Sequence, residues 1–280
     1  MKHVLVTGAT GTVGRHVVAG FRDTPTVSVT AASRDPLQAR NRLPCVTVAF
    51  DFTDPTTYRD AFAGVDTLFL VRPPALSRVR RDVIPALAAA VGAGVEHVVF
   101  LSVIGADRNP VVPHARLESW LAETGLETTF LRASFFMQNL STTHREEIRE
   151  GRLAVPAGNG KTSFVDARDV AAVAVRAIQN ESTGAYDLTG PTAVDYETVC
   201  HLLSSVLDHD VEYTDPSIPR FLVSRYRRDR DLAKVGVMGA IYTTVRLGLA
   251  DRVTDHVRSV LDRPPTDLLT FIRDNRSVWT

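Results

Sequence analysis

Short apolar, β-branched runs alternate with helix-spaced patterns through the first half of the chain. "HVLVT" (3–7), "TVSVTAAS" (26–33), "CVTVAF" (45–50), "VDTLFLV" (65–71), "HVVFLS" (97–102) and "ETTFLRA" (127–133) read as strands. Several are apolar nearly throughout, the pattern of strands buried on both faces. Between them, "TVGRHVVAGF" (12–21), "DPTTYRDAFAG" (54–64), "SRVRRDVIPALAAAVGAG" (77–94) and "PHARLESWLAETG" (113–125) carry helical spacing, and the last three close at or near glycine. This alternation predicts an α/β fold, a doubly wound parallel sheet with right-handed crossovers. After about residue 134 the rhythm changes. A strand at 152–155, a loop "PAGNGKTSF" (156–164), a helix from Asp169, a strand "AYDLTG" (185–190) and a helix from Asp195 follow, and the chain from about 216 reads as mostly helical. Asp54, Asp169 and Asp195 read as helix N-caps. The expected organisation is one globule. Residues 1–150 form the cofactor-binding part, with a return from about 164–190. About 151–163 and 191–280 form a smaller, mostly helical substrate lobe.

Composition narrows the partners. The formal net charge is zero, which makes nucleic acid and anionic membrane surfaces poor partners. Cys45 and Cys200 are the only cysteines, too few and too far apart for a disulfide framework. The apolar start "MKHVLVTGATG" is broken by Gly8, too early for a signal peptide. No window approaches the roughly 20 apolar residues of a membrane span. A cytoplasmic monomer or homodimer acting on a small molecule is expected. Only Lys2, Lys161 and Lys234 are lysines among 32 basic residues, a hint of a GC-rich bacterial gene.

"VLVTGATGTVGRHV" sets Gly8, Gly11 and Gly14 between the first strand and the first helix. Such a turn lets the backbone approach a pyrophosphate, and the helix start offers free N–H groups to it. Thr10, Thr12 and Val13 lie in the same turn. The second strand ends in Ser33 and Arg34, twenty residues past Gly14. A guanidinium there can pair with a ribose 2′-phosphate, which favours NADP(H) over NAD(H). The rival is Asp35, able to take a 2′-hydroxyl. Asp51 and Phe52 lie where an adenine ring could rest, and Val71, Arg72 and Pro73 end the fourth strand, where such sheets bind ligands.

Taken together, "VTGATGTVG", "ASRDP", "DFTD", "VRPP", "FLSVIGA", "HARLESWLAETGLETTFLRASFFMQN", "TSFVDARDVAAVA" and "AYDLTGP" resemble the NmrA-like group of atypical short-chain dehydrogenases/reductases. The resemblance covers essentially the whole chain. It implies a Rossmann fold with NADP(H) and a smaller C-terminal substrate lobe. The group includes reductases of quinones, aromatic ethers, imines and ketones, and redox sensors that bind the nucleotide without turnover. By the same resemblance, Ser102 and Val103 flank the nicotinamide end, and Ala133, Ser134 and Phe135 wall its side. The family often has proline where Ala133 stands.

Typical relatives carry Tyr-x-x-x-Lys, a spacing absent from this sequence. Many members of the branch instead place lysine at the first position of K-x-x-x-E or K-x-x-x-R, and His114 occupies that position four residues before Glu118. Three readings of His114 are open. It can donate to an oxygen gaining negative charge, as a neutral imidazole near a helix start, with Glu118 one turn later orienting the ring. It can hold a substrate without taking part in the chemistry. Or it is an ordinary helix-start histidine. "ASFFMQNL" adds Phe136 and Met137 as walls for a flat apolar substrate, with Phe221, Tyr226, Met238 and Tyr242 as a further wall. No cluster has metal-ligand spacing. The leading expectation is an NADPH-dependent reductase of a quinone, enone, ketone or imine in specialised metabolism. The alternative is a nucleotide-binding sensor or a non-redox enzyme on the same fold.

Overall fold

A computed structural model describes residues 1–280. The chain opens with β1 (Lys2–Val6), α1 (Gly14–Gly20), β2 (Val27–Ser33), α2 (Pro36–Arg40), β3 (Val46–Ala49), α3 (Tyr58–Phe62) and β4 (Thr67–Leu70). It continues through α4 (Val79–Asp82), α5 (Ile84–Gly92), β5 (His97–Val103), α6 (Pro113–Ala122) and β6 (Glu127–Ala133). Next come β7 (Phe135–Phe136), α7 (Gln138–Ser141), α8 (Arg145–Arg149), β8 (Arg152–Ala154), β9 (Thr162–Val165), α9 (Ala167–Asn180) and β10 (Gly184–Leu188). The last stretch holds β11 (Ala193–Val194), α10 (Tyr196–Val206), β12 (Glu212–Thr214), α11 (Ile218–Asp229), α12 (Leu232–Arg246), α13 (His256–Leu261) and α14 (Leu268–Asp274).

Seven strands form one parallel sheet in the order β10-β6-β5-β4-β1-β2-β3. The chain leaves β1 toward β2 on one side and resumes with β4 on the other. That reversal creates the crevice at the carboxyl ends of β1 and β4 where doubly wound sheets take ligands. All four residues of β4 are buried, as are Val4, Leu5 and Val6 of β1, which is why these runs lack polar alternation. Phe50, Phe62, Leu68, Phe100 and Leu117 join one core beneath this sheet. On α9, Val170, Ala171, Val173, Ala174, Ala177 and Ile178 are buried, the stripe a helical period produces.

Two compact units result, the first comprising 1–133, 167–188 and 256–262, and the second 134–166, 189–255 and 263–280. The expected limits shift accordingly. Residues 134–150 belong to the second unit, and the helix α13 belongs to the first. The second unit holds a three-stranded sheet, β11-β9-β7, and the pair β12-β8, with its own core around Phe164, Tyr196, Phe221, Tyr242 and Trp279. Two local expectations are corrected. The loop expected at 156–164 ends in strand β9, because Thr162 and Ser163 pair with β11. Asp169 lies inside the first turn of α9 instead of capping it, whereas Asp195 does cap α10, accepting from the Thr198 N–H at 2.8 Å. No helix is long and apolar enough to cross a membrane.

Candidate cofactor and active site

The glycine turn shows why these residues are glycines. Gly8 has φ +59°, and a Cβ there would come within 3.0 Å of the Val71 Cβ. At Gly14 a Cβ would overlap the Gly8 carbonyl oxygen and sit 2.8 Å from the Ala9 Cα. The turn is closed by Gly11 N–H donating to the Gly8 carbonyl at 2.9 Å. Thr10, Gly11 and Thr12 are exposed, and the Thr12 and Val13 N–H groups donate to no protein acceptor. Unspent donors on a glycine-narrowed turn at a sheet crevice suit a phosphate.

The β2 end separates the two candidates for the ribose. Asp35 caps α2, its carboxylate accepting from the Gln38 N–H at 2.9 Å. Ser33 is folded onto the same turn, its hydroxyl bonding the Asp35 backbone at 3.0 and 3.2 Å. Arg34 is exposed and forms no hydrogen bond or ion pair. The free group at this position is therefore the guanidinium. Asp51 accepts from the Thr53 N–H and hydroxyl with one oxygen, Oδ1. Those bonds and the nearby Arg34 charge hold its pKa below the usual carboxylate value. Oδ2 stays open. Phe52 is corrected: it is buried against Phe50 at a ring distance of 4.8 Å, so its ring belongs to the core and is closed to an adenine.

At the C-terminal ends of β5 and β6 lies a buried polar network. Parallel pairing sets Ser102 beside Arg132. The Ser102 hydroxyl donates to Glu118 Oε1, and Arg132 grips Glu118 through Nη2–Oε2 at 2.6 Å and Nε–Oε1 at 3.1 Å. Asp107 adds a weaker contact to Arg132 at 3.6 Å. Glu118 is thus spent on Ser102 and Arg132 and makes no bond to His114, contrary to the expected ring-orienting role. It clamps α6 to the sheet. Ser102 likewise spends its hydroxyl on Glu118.

His114 stands in the first turn of that clamped helix, after Val112 at the N-cap and Pro113 at the first helical position. Its ring stacks on Phe100 at 5.9 Å and forms no hydrogen bond. Burial first, and then the Arg72 charge, lower its pKa to about 4, so the imidazole is neutral near pH 7. Arg72 follows β4, whose Leu70 pairs with the same Phe100. Its Nη1 donates to the carbonyls of Pro73, Pro74 and Leu76 at 2.8, 3.1 and 3.1 Å. Its Nε is buried without a partner. Val71 meets the glycine turn, its N–H donating to the Thr7 hydroxyl at 2.7 Å.

The remaining expected residues divide. Val103 and Ala133 end β5 and β6, with the Ala133 carbonyl accepting from the Ile104 N–H at 3.1 Å. Ser134 is in the second unit, where its hydroxyl bonds that of Ser163 at 3.0 Å. Met137, Phe221 and Tyr242 are corrected: all three are at most 3% exposed in the second unit's core, so none is a substrate-facing wall. Tyr242 contacts Phe135, Tyr196 and Phe221 and takes a 2.7 Å bond with His144. Phe135, Phe136 and Met238 are half-buried, and Tyr226 is exposed. Sequence reasoning missed the Ser102–Glu118–Arg132 network. Its one signal was Arg132, a charged residue next to the last position of β6. No group of three or more His, Cys, Asp or Glu side chains could hold a metal ion.

The model of the NmrA-like family matches residues 1–227. The NAD(P)H azoreductase of Xenophilus azovorans is 32% identical over 288 residues, covering 99% of this chain and 99% of its own. Among solved structures, an NADPH-dependent quinone oxidoreductase from Escherichia coli, complexed with NADPH, is 23% identical with a TM-score of 0.86, covering 98% of each chain. The triphenylmethane reductase of a Citrobacter species, complexed with NADP(H), is 21% identical with a TM-score of 0.85, covering 97% of this chain and 99% of that one. These two likenesses are of fold.

Proposed function

This chain belongs to the NmrA-like family, and we propose that it is an NADPH-dependent reductase of a small conjugated or carbonyl-type acceptor such as a quinone, enone, ketone or imine. The observation that carries the reading is a cofactor crevice and an unspent imidazole in the same unit. The turn of Gly8, Thr10, Gly11, Thr12, Val13 and Gly14 binds the pyrophosphate. Arg34, with Ser33 shaping its turn, binds the 2′-phosphate, and Asp51 Oδ2 takes the adenine amine. Val71, Pro73, Val103 and Ala133 floor the crevice toward the nicotinamide. NADPH, when bound, supplies a hydride. The protein binds and orients both partners and keeps a neutral N–H donor, His114, for an acceptor oxygen that gains charge. A neutral imidazole donates a hydrogen bond without having to give up a full proton, and water then supplies the proton.

NADPH and NADH titrations by fluorescence, followed by a panel of quinones, enones and imines, test this reading. Tight NADPH binding with oxidation by at least one acceptor class is expected. NADPH binding with no oxidation across the panel would favour a nucleotide-binding sensor.

A further inference from the structure

His114 and Arg72 are together an unusual pair for a site expected to reduce many kinds of acceptor. The imidazole has no hydrogen-bond partner and carries no charge near pH 7. The guanidinium is anchored through one nitrogen only. Nη1 is shared among three carbonyls, which fixes the side chain in place, while Nε is buried without an acceptor and Nη2 has none either. Arg72 pairs with no carboxylate, so its positive charge is not neutralised locally. Burial alone lowers its pKa, with no carboxylate close enough to act on it. A buried donor left unmet costs about 1–3 kcal/mol relative to one that is satisfied, and such a group calls for an explanation.

From this geometry we propose that Arg72 selects the acceptor by charge, favouring neutral acceptors that become oxyanions and disfavouring cationic ones. The inference deepens the reductase reading and rests on it. A neutral quinone that receives a hydride gains two electrons and one proton and ends as a hydroquinone monoanion. Water then protonates it, and the nicotinamide ends oxidised. Negative charge appears on the acceptor oxygen during that step, and a fixed, unneutralised guanidinium with Nη2 left to donate stabilises it. A cyclic iminium runs the opposite way: it arrives positive and leaves as a neutral amine. The same guanidinium repels it on arrival and has nothing to stabilise on departure. His114, neutral, adds a donor without adding charge. Arg72 is therefore a specificity-determining residue beside the acceptor, which departs from its expected place among the cofactor contacts.

The test compares wild type with Arg72→Met and Arg72→Lys. Each is assayed with NADPH against a neutral p-quinone and against a cationic N-alkyl dihydroisoquinolinium. The dissociation constant for NADPH is measured separately by fluorescence. Binding of 4-nitrophenolate and of neutral 4-nitroanisole to the NADP-loaded protein gives a readout independent of turnover. Arg72→Met is expected to lower the quinone-to-iminium ratio of kcat/KM by about tenfold or more, with Arg72→Lys recovering part of it. The preference for nitrophenolate over nitroanisole disappears with it, and NADPH affinity changes little. An unchanged ratio overturns the inference. So does an equal loss for both acceptors accompanied by weaker NADPH binding, which would return Arg72 to the cofactor. If wild type binds NADPH but reduces neither acceptor, the reductase reading fails. The nitrophenolate comparison then still decides Arg72: a preference lost in Arg72→Met supports its role in anion selection, and equal binding of the two probes overturns it.

Discussion

At the scale of single residues, the site turns on which polar groups are already spent. Asp35 is spent on its helix cap and Arg34 is not, so Arg34→Ala is expected to raise the KM for NADPH about tenfold or more while leaving that for NADH nearly unchanged. Equal changes for both nucleotides would contradict the assignment. Glu118 is spent on Ser102 and Arg132. Removing one side of a buried ion pair leaves the other charge stranded, so Arg132→Met is expected to cost about 3–5 kcal/mol, read by denaturant unfolding. His114 supplies the pH signature. Its pKa in the folded protein is about 4, below its ordinary 6.5. Between those values the unfolded chain binds a proton that the folded one refuses. The stability involved is complete above about pH 6.5 and is lost as pH falls toward 4, worth about 3 kcal/mol. His114→Gln is expected to flatten that decline, measured as the difference between unfolding free energies at neutral and acid pH. The change in that difference between wild type and variant isolates His114 from His97 and His144, whose pKa values burial also lowers. By the same token, kcat/KM carries no limb from His114 between pH 6 and 8. A fall in activity through pH 6.5 that His114→Gln removes would mean the imidazolium is the working form.

At the scale of elements, the first unit was readable because β1, β4 and β5 are buried along most of their length and several helices end at or near glycine. β6 matches its expected span, and β2 and β5 match theirs to within one residue. The glycine turn was equally readable, since steric crowding leaves little choice at Gly8 and Gly14. Gly14→Ala is expected to abolish measurable NADPH binding, because the added Cβ meets the Gly8 carbonyl and Ala9 within the turn itself. Retained affinity in a titration would sink the phosphate-cradle assignment. What was not readable depends on contacts distant in sequence. β7 and β11 are two residues long and carry no periodicity, so β9 between them looked like the end of a loop. Glu118 meets Arg132 only because α6 returns to β5 and β6 in their particular register. Phe52, Met137, Phe221 and Tyr242 were legible as apolar, and hydrophobicity alone does not separate a core side chain from a pocket wall.

At the scale of the whole molecule, the chain forms two compact units, 1–133 with 167–188 and 256–262, and 134–166 with 189–255 and 263–280. The likeness to relatives runs across both units: the azoreductase aligns over 99% of the chain. The functional claim is therefore one for the whole chain, and a single-turnover experiment tests it most directly. Protein saturated with NADPH is mixed anaerobically with excess neutral p-quinone, and loss of NADPH fluorescence is followed alongside formation of hydroquinone. NADPH is expected to be consumed in step with hydroquinone production, at a rate well above that of the free reagents and reduced in Arg72→Met. NADPH that stays bound and unoxidised, or is consumed no faster than in free solution, would contradict it.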